Sequence, residues 1–194
     1  GANLNGVILL HSCLFWANLN HANLTTANLR SAKLNHARME FVCLRKANLT
    51  EACLERVNLI KADLTKANLF KATLKASNCT KANFNHANLS ETNWEGAILT
   101  NALLRRVDLE KAQLNETILQ GADLTEADLV GADLSNAELT DAILVKAALE
   151  LACLQNADLS GADLEGASLF KANLKGVNLE NVNLRNTDLR HANL

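Results

Sequence analysis

The chain has 194 residues and a formal charge of −2 at pH 7. It is long enough for one domain with a sizeable core, and its charge gives no bulk attraction to nucleic acid or anionic lipid. No apolar run reaches the roughly 18 residues that a membrane span needs. Proline and tyrosine are absent and only one methionine occurs, which is typical of a sequence that consists mostly of one short repeat.

A five-residue repeat runs from Leu4 to Leu194 without losing register. Leu fills 35 of the 39 positions at this spacing, and the position two residues earlier is Ala in 28 of 39 cases and otherwise Val, Ser or Thr. We number each repeat so that the Leu position is i and the Ala position is i−2. The four exceptions at position i are Met39, Cys79, Phe84 and Trp94.

A period of five fits neither a regular helix nor a straight strand. In an α-helix, a step of five residues advances about 500°, so the Leu row would wind around the axis. In a strand, successive Leu residues would alternate between faces. The chain must therefore bend within each repeat, and all eight glycines lie at i+2, where a bend would be. We expect i−2 and i to face inward and the other positions to face outward.

Tandem copies of Ala-(Asn/Asp)-Leu-X-X resemble the pentapeptide repeat family, and the resemblance covers residues 1–194. It implies an all-β fold, a right-handed quadrilateral β-helix (a β-solenoid) of about 9–10 coils of 20 residues with no large loops. It also implies a bacterial, cyanobacterial-like protein, from a family in which most members have no known activity. Both ends lie inside the repeat, so we expect a single repeat domain that is part of a longer chain.

The first coils carry large apolar side chains at outward positions. They are Ile8, Leu10, Phe15, Trp16 and, further along, Phe41. Such a set is either a contact for a cap, a partner or a second subunit, or a group of separate surface hydrophobes. Because four of them fall within nine residues, we predict that they form a contact surface.

Residues 77–96 depart most from the repeat. Their unusual inward positions are Ser77, Cys79, Phe84, Thr92 and Trp94. One interpretation is local compensation of side-chain size, and the other is a bulge or loosened seam that a ligand or partner uses. A narrow coil could force Trp94 partly outward, which makes it a candidate contact residue.

Asn or Asp fills 23 of the 39 positions at i−1. They include a ladder at residues 20 apart, namely Asn28, Asn48, Asn68 and Asn88. The ladder is either a recognition surface or a structural feature in which the amides bond each other and the turn backbone. We favour the structural interpretation.

The later part of the chain is acidic, since residues 107–165 hold 13 Asp or Glu against Lys111 and Lys146. Asp108, Asp123 and Asp128 are candidates for a DNA-mimicking or cation-binding strip. The alternative is solvated Asp at the usual Asn/Asp position.

Five basic residues share one face and could touch phosphate, or could be ordinary surface charge. They are Arg45, Lys46, Lys66, Arg105 and Arg106.

The sequence offers no catalytic, cofactor-binding or metal-binding residues. The five histidines all lie at i+2, are spread over four faces and are interpreted as solvated corner residues. No two of the five cysteines are placed for a disulfide, so we predict free thiols and a reducing, cytoplasmic location. We expect that the chain is not an enzyme.

We therefore expect a structural or protein-interaction rod with an unknown protein partner and without direct nucleic-acid binding. Truncated coil ends also invite end-to-end self-association. A second hypothesis is a DNA-mimicking binder of a topoisomerase, acting in gyrase protection or inhibition through residues 107–165. Family members with that role tend to have Phe at i and often carry loops, whereas this chain has Leu and no insertion. A third is a targeting or scaffold domain attached to an enzyme outside this segment.

Overall fold

The computed structural model describes residues 1–194 and consists of tight turns joined by single-residue β-bridges. It has no α-helix, and hence no helix of a length and apolarity that could cross a membrane. Every bridge is parallel and joins residues 20 apart, from Asn3 with Asn23 to Asn173 with Asn193. The chain is an all-β solenoid whose register is unbroken by any insertion.

The bridging residues occupy position i−1 and form four columns along the stack. We name each column after its first member, as the Asn3, Ile8, Cys13 and Asn18 columns. Within a column, consecutive residues are 20 apart in sequence and belong to adjacent coils. A coil repeats at the spacing of paired strands, roughly 4.8 Å.

Each bend is a four-residue turn, and in every repeat except Leu104–Val107 it is closed by a hydrogen bond from the i+3 amide to the carbonyl of i. The amide of Val7, for example, donates to the carbonyl of Leu4 over 3.2 Å. The third residue of the turn has a positive φ at every i+2 position from Gly6 to His191, the signature of a type II turn. The prediction that the chain bends at i+2 is confirmed, although only seven of these residues are glycine.

The Asn or Asp preference at i−1 follows from this turn. Every Asn or Asp at i−1 that is followed by an i+1 residue accepts a hydrogen bond from the i+1 amide through its side-chain oxygen, over 2.9–3.3 Å. The i+1 amide is the one that the turn and the neighbouring coils leave free. In the ladder from Asn28 to Asn88 the side chains therefore bond the turn backbone rather than one another.

Leu at i and the small residue at i−2 form one continuous core from Ala22 to Leu174. A fully buried Leu contributes about 1.5–3 kcal/mol, so the repeated site is the main source of stability. The inner Leu residues of the first and last coils, such as Leu4 and Leu189, are only partly buried because each has a stacked coil on one side.

Trp94 does not turn outward, and the idea that it could serve as a contact residue is wrong. Its side chain is fully buried and meets the ring of Phe84 edge-on, with 5.4 Å between the ring centroids. The bridges continue unbroken through this coil, so there is no bulge or seam. Cys79 is smaller than the Leu it replaces, so residues 77–96 compensate for side-chain size.

Candidate interaction surface

Large apolar side chains are concentrated on the outside of the first three coils. Ile8 is 75% exposed, Trp16 71%, and Leu10, Phe15 and Phe41 are 44–45% exposed. We call these five residues the aromatic end. They lie at i−1, i+1 and i+2 positions, where the turn geometry points side chains away from the core. The structure therefore places all of them on the surface, as the sequence predicts.

Two stacked ring pairs order part of the aromatic end. Trp16 stacks on His36 with ring centroids 4.2 Å apart and planes 7° from parallel. His21 stacks on Phe41 at 5.0 Å, and the ammonium of Lys61 lies 5.1 Å from the Phe41 ring centroid. Both pairs join i+2 residues of adjacent coils. The Asn18 column lies between them, so the two stacks border the same surface.

Sequence reasoning treated His21 and His36 as isolated corner residues and missed these stacks. The signal was present in the sequence, because residues 20 apart lie side by side in adjacent coils. Comparing Trp16 with His36 and His21 with Phe41 at that spacing would have found both pairs.

The acidic candidates do not form an open strip. Asp108 and Asp128 are bridge neighbours in the Ile8 column, but each uses one carboxylate oxygen to accept the amide two residues on. The next residue in that column is Ala148, which ends the row of charge. The 13 acidic residues of 107–165 are distributed over all four columns and their turns.

Asp123 is only 6% exposed, so the prediction that it is an open contact residue is wrong. Its bridge partners are Leu103 and Ile143, which flank it in the Asn3 column. Arg105 donates to its carboxylate over 2.6 Å, and the hydroxyl and amide of Thr125 donate to the other oxygen. Burial acts to raise the pKa of Asp123, but the hydrogen bonds from Thr125 and Arg105 hold this pKa below its ordinary value.

Much of the basic group is also neutralised within the chain. Arg45 lies 3.4 Å from Asp63, and Arg106 pairs with Glu126 over 2.8 Å. Arg105 is paired with Asp123, as described above. A shallow depression of about 400 Å³ between Arg105 and Arg106 has no hydrophobic lining residue. These pairs leave less free charge for phosphate than the sequence indicates.

All five cysteines are free thiols. Cys79 lies in the core, and burial raises the pKa of its thiol to about 12. Cys13 is exposed, and the other three are half-buried. No group of three or more His, Cys, Asp or Glu side chains has a geometry that could hold a metal ion.

Pentapeptides that stack in register, with a Leu core inside and Asn/Asp caps outside, define a solenoid repeat protein. The family model for pentapeptide repeats matches this chain in eight copies, over residues 12–50, 52–90, 82–121, 117–156 and 154–186. The chain belongs to the pentapeptide repeat family.

Several solved structures are similar to this chain. HetL, a pentapeptide repeat protein involved in heterocyst differentiation regulation from the cyanobacterium Nostoc sp. strain PCC 7120, is 35% identical over 96% of this chain and 89% of its own, with a TM-score of 0.42. Full-length QnrB1, a plasmid-mediated fluoroquinolone resistance protein, is 19% identical over 93% of this chain and 90% of its own, with a TM-score of 0.52. The likeness to QnrB1 shows a shared fold. A search of the curated proteins finds no match.

Proposed function

We propose that this chain is a non-catalytic rod that binds a protein partner through the aromatic end. The observation that carries the proposal is the clustering of exposed apolar side chains, since five of the nine large hydrophobic residues that are exposed lie between Ile8 and Phe41. Exposed apolar side chains concentrated at one end of a rod are typical of protein contacts. The stacks on His36 and His21 hold two of the aromatic rings in place, which lowers the entropy lost on binding.

In this proposal the four columns are the four faces of a right-handed coil, so a partner meets a flat side or an edge of a rigid rod. The five free thiols support a reducing compartment, and we assign the protein to the cytoplasm.

A pull-down from a lysate of the source cells tests the proposal. The bait is the wild-type chain, compared with a Phe15→Asn/Trp16→Asn double variant that removes two rings but keeps residue types common at these turn positions. Leu151→Asn is the matched control, because Leu151 is an exposed i+2 residue outside the aromatic end. We expect proteins held by the wild type and the control to be lost from the double variant. Identical retained proteins for all three baits would refute the proposal.

The alternative of a DNA-mimicking topoisomerase binder has less support. Mimicry of duplex DNA requires a row of free negative charge, and on the Asn3 side of the rod that row is interrupted, because Asp123 is buried against Arg105 and Glu126 is paired with Arg106. A gyrase supercoiling assay separates the two functions, because a DNA mimic would inhibit or protect the enzyme.

A scaffold role beside an enzyme in a longer chain is compatible with the main proposal, since the aromatic end would still be the contact.

A further inference from the structure

One side of the solenoid has an unusual distribution of charge. We define the Asn18 face as the Asn18 column together with the turn residues that border it. These residues occur in steps of 20, starting from Trp16, Asn18, Asn20 and His21. The face thus includes both ring stacks of the candidate interaction surface.

Positive and negative charges are separated along this face. Between residues 16 and 81 it carries four basic residues and a single acidic one, Glu40. The basic residues are Arg38, Arg56, Lys61 and Lys81. Between residues 116 and 181 it carries five acidic residues and no basic one. They are Glu116, Glu138, Asp141, Asp158 and Glu180.

These charges have no partner of opposite sign within the chain. The structure has eight salt bridges, and all of them involve residues outside the Asn18 face. The four basic residues and the five acidic residues lie too far apart along the rod to pair with each other. Arg38 and Asp158 are six coils apart, or about 29 Å, and Lys61 and Asp141 are four coils apart, or about 19 Å.

The centre of the face is uncharged and partly apolar. Ile98 and Ile118 are bridge neighbours in the Asn18 column, and both are half-buried. The other residues of this face in the Ile98 coil are uncharged, such as Gly96, Thr100 and Asn101, and Glu116 lies beside Ile118. The face is therefore basic at one end, apolar in the middle and acidic at the other end.

We infer that two copies of this chain bind each other through their Asn18 faces as an antiparallel dimer with its two-fold axis at Ile98. An isologous contact requires a self-complementary surface, and a face of opposite charges about an apolar centre meets that requirement. The inference rests on the proposed function, because Trp16 and Phe41 belong to both surfaces, and it names the partner as a second copy.

The register about Ile98 brings opposite charges together. Residues equally far from the axis on the two copies face each other, so Arg38 lies opposite Asp158 of the second copy. At one edge of the face, Lys61 lies opposite Asp141 in the same way. Each of these pairs occurs twice because of the two-fold symmetry.

The same register places the large aromatic residues opposite glycines. At one edge, Trp16 of one copy faces Gly176 of the other, and at the opposite edge Phe41 faces Gly161. Gly176 and Gly161 are exposed, and neither carries a side chain of its own that would meet the ring. Shape and charge thus favour the same alignment.

The available area is sufficient for a stable contact. The accessible surface of the chain is 8671 Å², and one quarter of that, for one of four sides, exceeds the about 800 Å² that each partner buries in a standard specific interface. The central Ile98 pair and the edge aromatics would supply the apolar part of the contact.

Sedimentation velocity on the purified chain over a range of concentrations tests the dimer. We expect the wild type to form dimers in the micromolar range, and increasing salt to weaken them. Lys61→Asp and Asp141→Lys should each weaken dimerisation by about tenfold or more, because each places like charges together twice. The double variant Lys61→Asp/Asp141→Lys should recover the wild-type affinity, since it exchanges the two charges.

Lys66→Asp is the matched control, because Lys66 is an exposed i+2 residue that does not border the Asn18 face. It should leave dimerisation unchanged, and thermal unfolding would verify that all variants are folded. A chain that is monomeric at all concentrations, or a double variant that is no tighter than the single variants, would overturn the dimer. If such a monomer still retained a lysate protein through Trp16, the proposed function would stand while the dimer failed.

A second measurement tests the register. Ile98→Cys should form an intermolecular disulfide between the two copies of residue 98 on oxidation, because that residue lies on the two-fold axis. Ile118→Cys should not, because residue 118 faces Asn78 of the other copy. Peptide mass analysis distinguishes these links from links through the native cysteines. Equal cross-linking at both positions would refute the axis at Ile98.

Discussion

The indole Nε1 of Trp94 donates a 2.7 Å hydrogen bond to the hydroxyl of Thr92, and both side chains are fully buried. The hydroxyl in turn donates to the carbonyl of Leu89. Thr92 stands where the repeat usually has Ala, so its extra polar atom satisfies the one polar atom of the indole. This pairing explains how the core holds a tryptophan at a Leu position.

Thr92→Val should lower the free energy of unfolding by about 1–3 kcal/mol, because it leaves the buried indole N–H without an acceptor. Thr117→Val is the control, since the hydroxyl of Thr117 is also buried but donates only to the carbonyl of Leu114. Urea unfolding measures both. A loss for Thr92→Val no larger than that for Thr117→Val would show that the indole bond contributes nothing to stability.

Asp123→Asn should destabilise the protein near neutral pH by about 1–3 kcal/mol, because it weakens the charged hydrogen bond from Arg105 in a nearly buried site. Since the pKa of Asp123 is lowered on folding, the ionised carboxylate stabilises the fold above its ordinary pKa of 3.8. That stabilisation is lost as the pH falls through the lowered value. The difference between wild type and variant should therefore shrink in acid.

Asp63→Asn is the comparison for Asp123, because Asp63 meets Arg45 in the same arrangement at a longer 3.4 Å and with 35% of its side chain exposed. Its effect on urea unfolding should be smaller. A difference between wild type and Asp123→Asn that stays constant from pH 7 to about pH 2 would contradict the assigned ionisation.

Cys79 should resist thiol reagents in the folded protein, because burial both blocks access and raises the pKa of its thiol to about 12. Cys13 is exposed and should react quickly. Labelling with Ellman's reagent at pH 8, with and without denaturant, measures the rates. Cys79→Ala should remove only the slow reaction, and five equal rates in the native protein would be inconsistent with the buried site.

Ala148→Asn should raise the free energy of unfolding by about 0.5–1.5 kcal/mol. Ala148 is an i−1 residue without a side-chain acceptor, and Asn would accept the amide of Glu150 as the other Asn residues do in their turns. Ala148→Gln is the control, since Gln113 at the equivalent position makes no such bond. Equal gains from both substitutions, measured by urea unfolding, would argue against the turn bond as the cause.

The sequence predicts the repeat geometry well because each inward or outward position is decided by residues within one pentapeptide. The bend at i+2, the burial of Leu and Ala, and the surface location of Phe15 and Trp16 all follow from that local rule. The inward direction of the Trp94 side chain and the burial of Asp123 could not be predicted from that local rule. Both depend on what lies beside them in the core or the next coil, namely Phe84 for the indole and Arg105 for the carboxylate.

The amino-acid sequence by itself determined that the chain forms an all-β stack of pentapeptides, because a Leu every five residues can be buried on one side only if the chain bends in every repeat. Only the tertiary structure decided which residues meet. The coil length of 20 residues brings Trp16 onto His36 and leaves Lys61 and Asp141 on one face with no ionic partner in their own chain. These relationships depend on contacts between coils, and no single pentapeptide contains them.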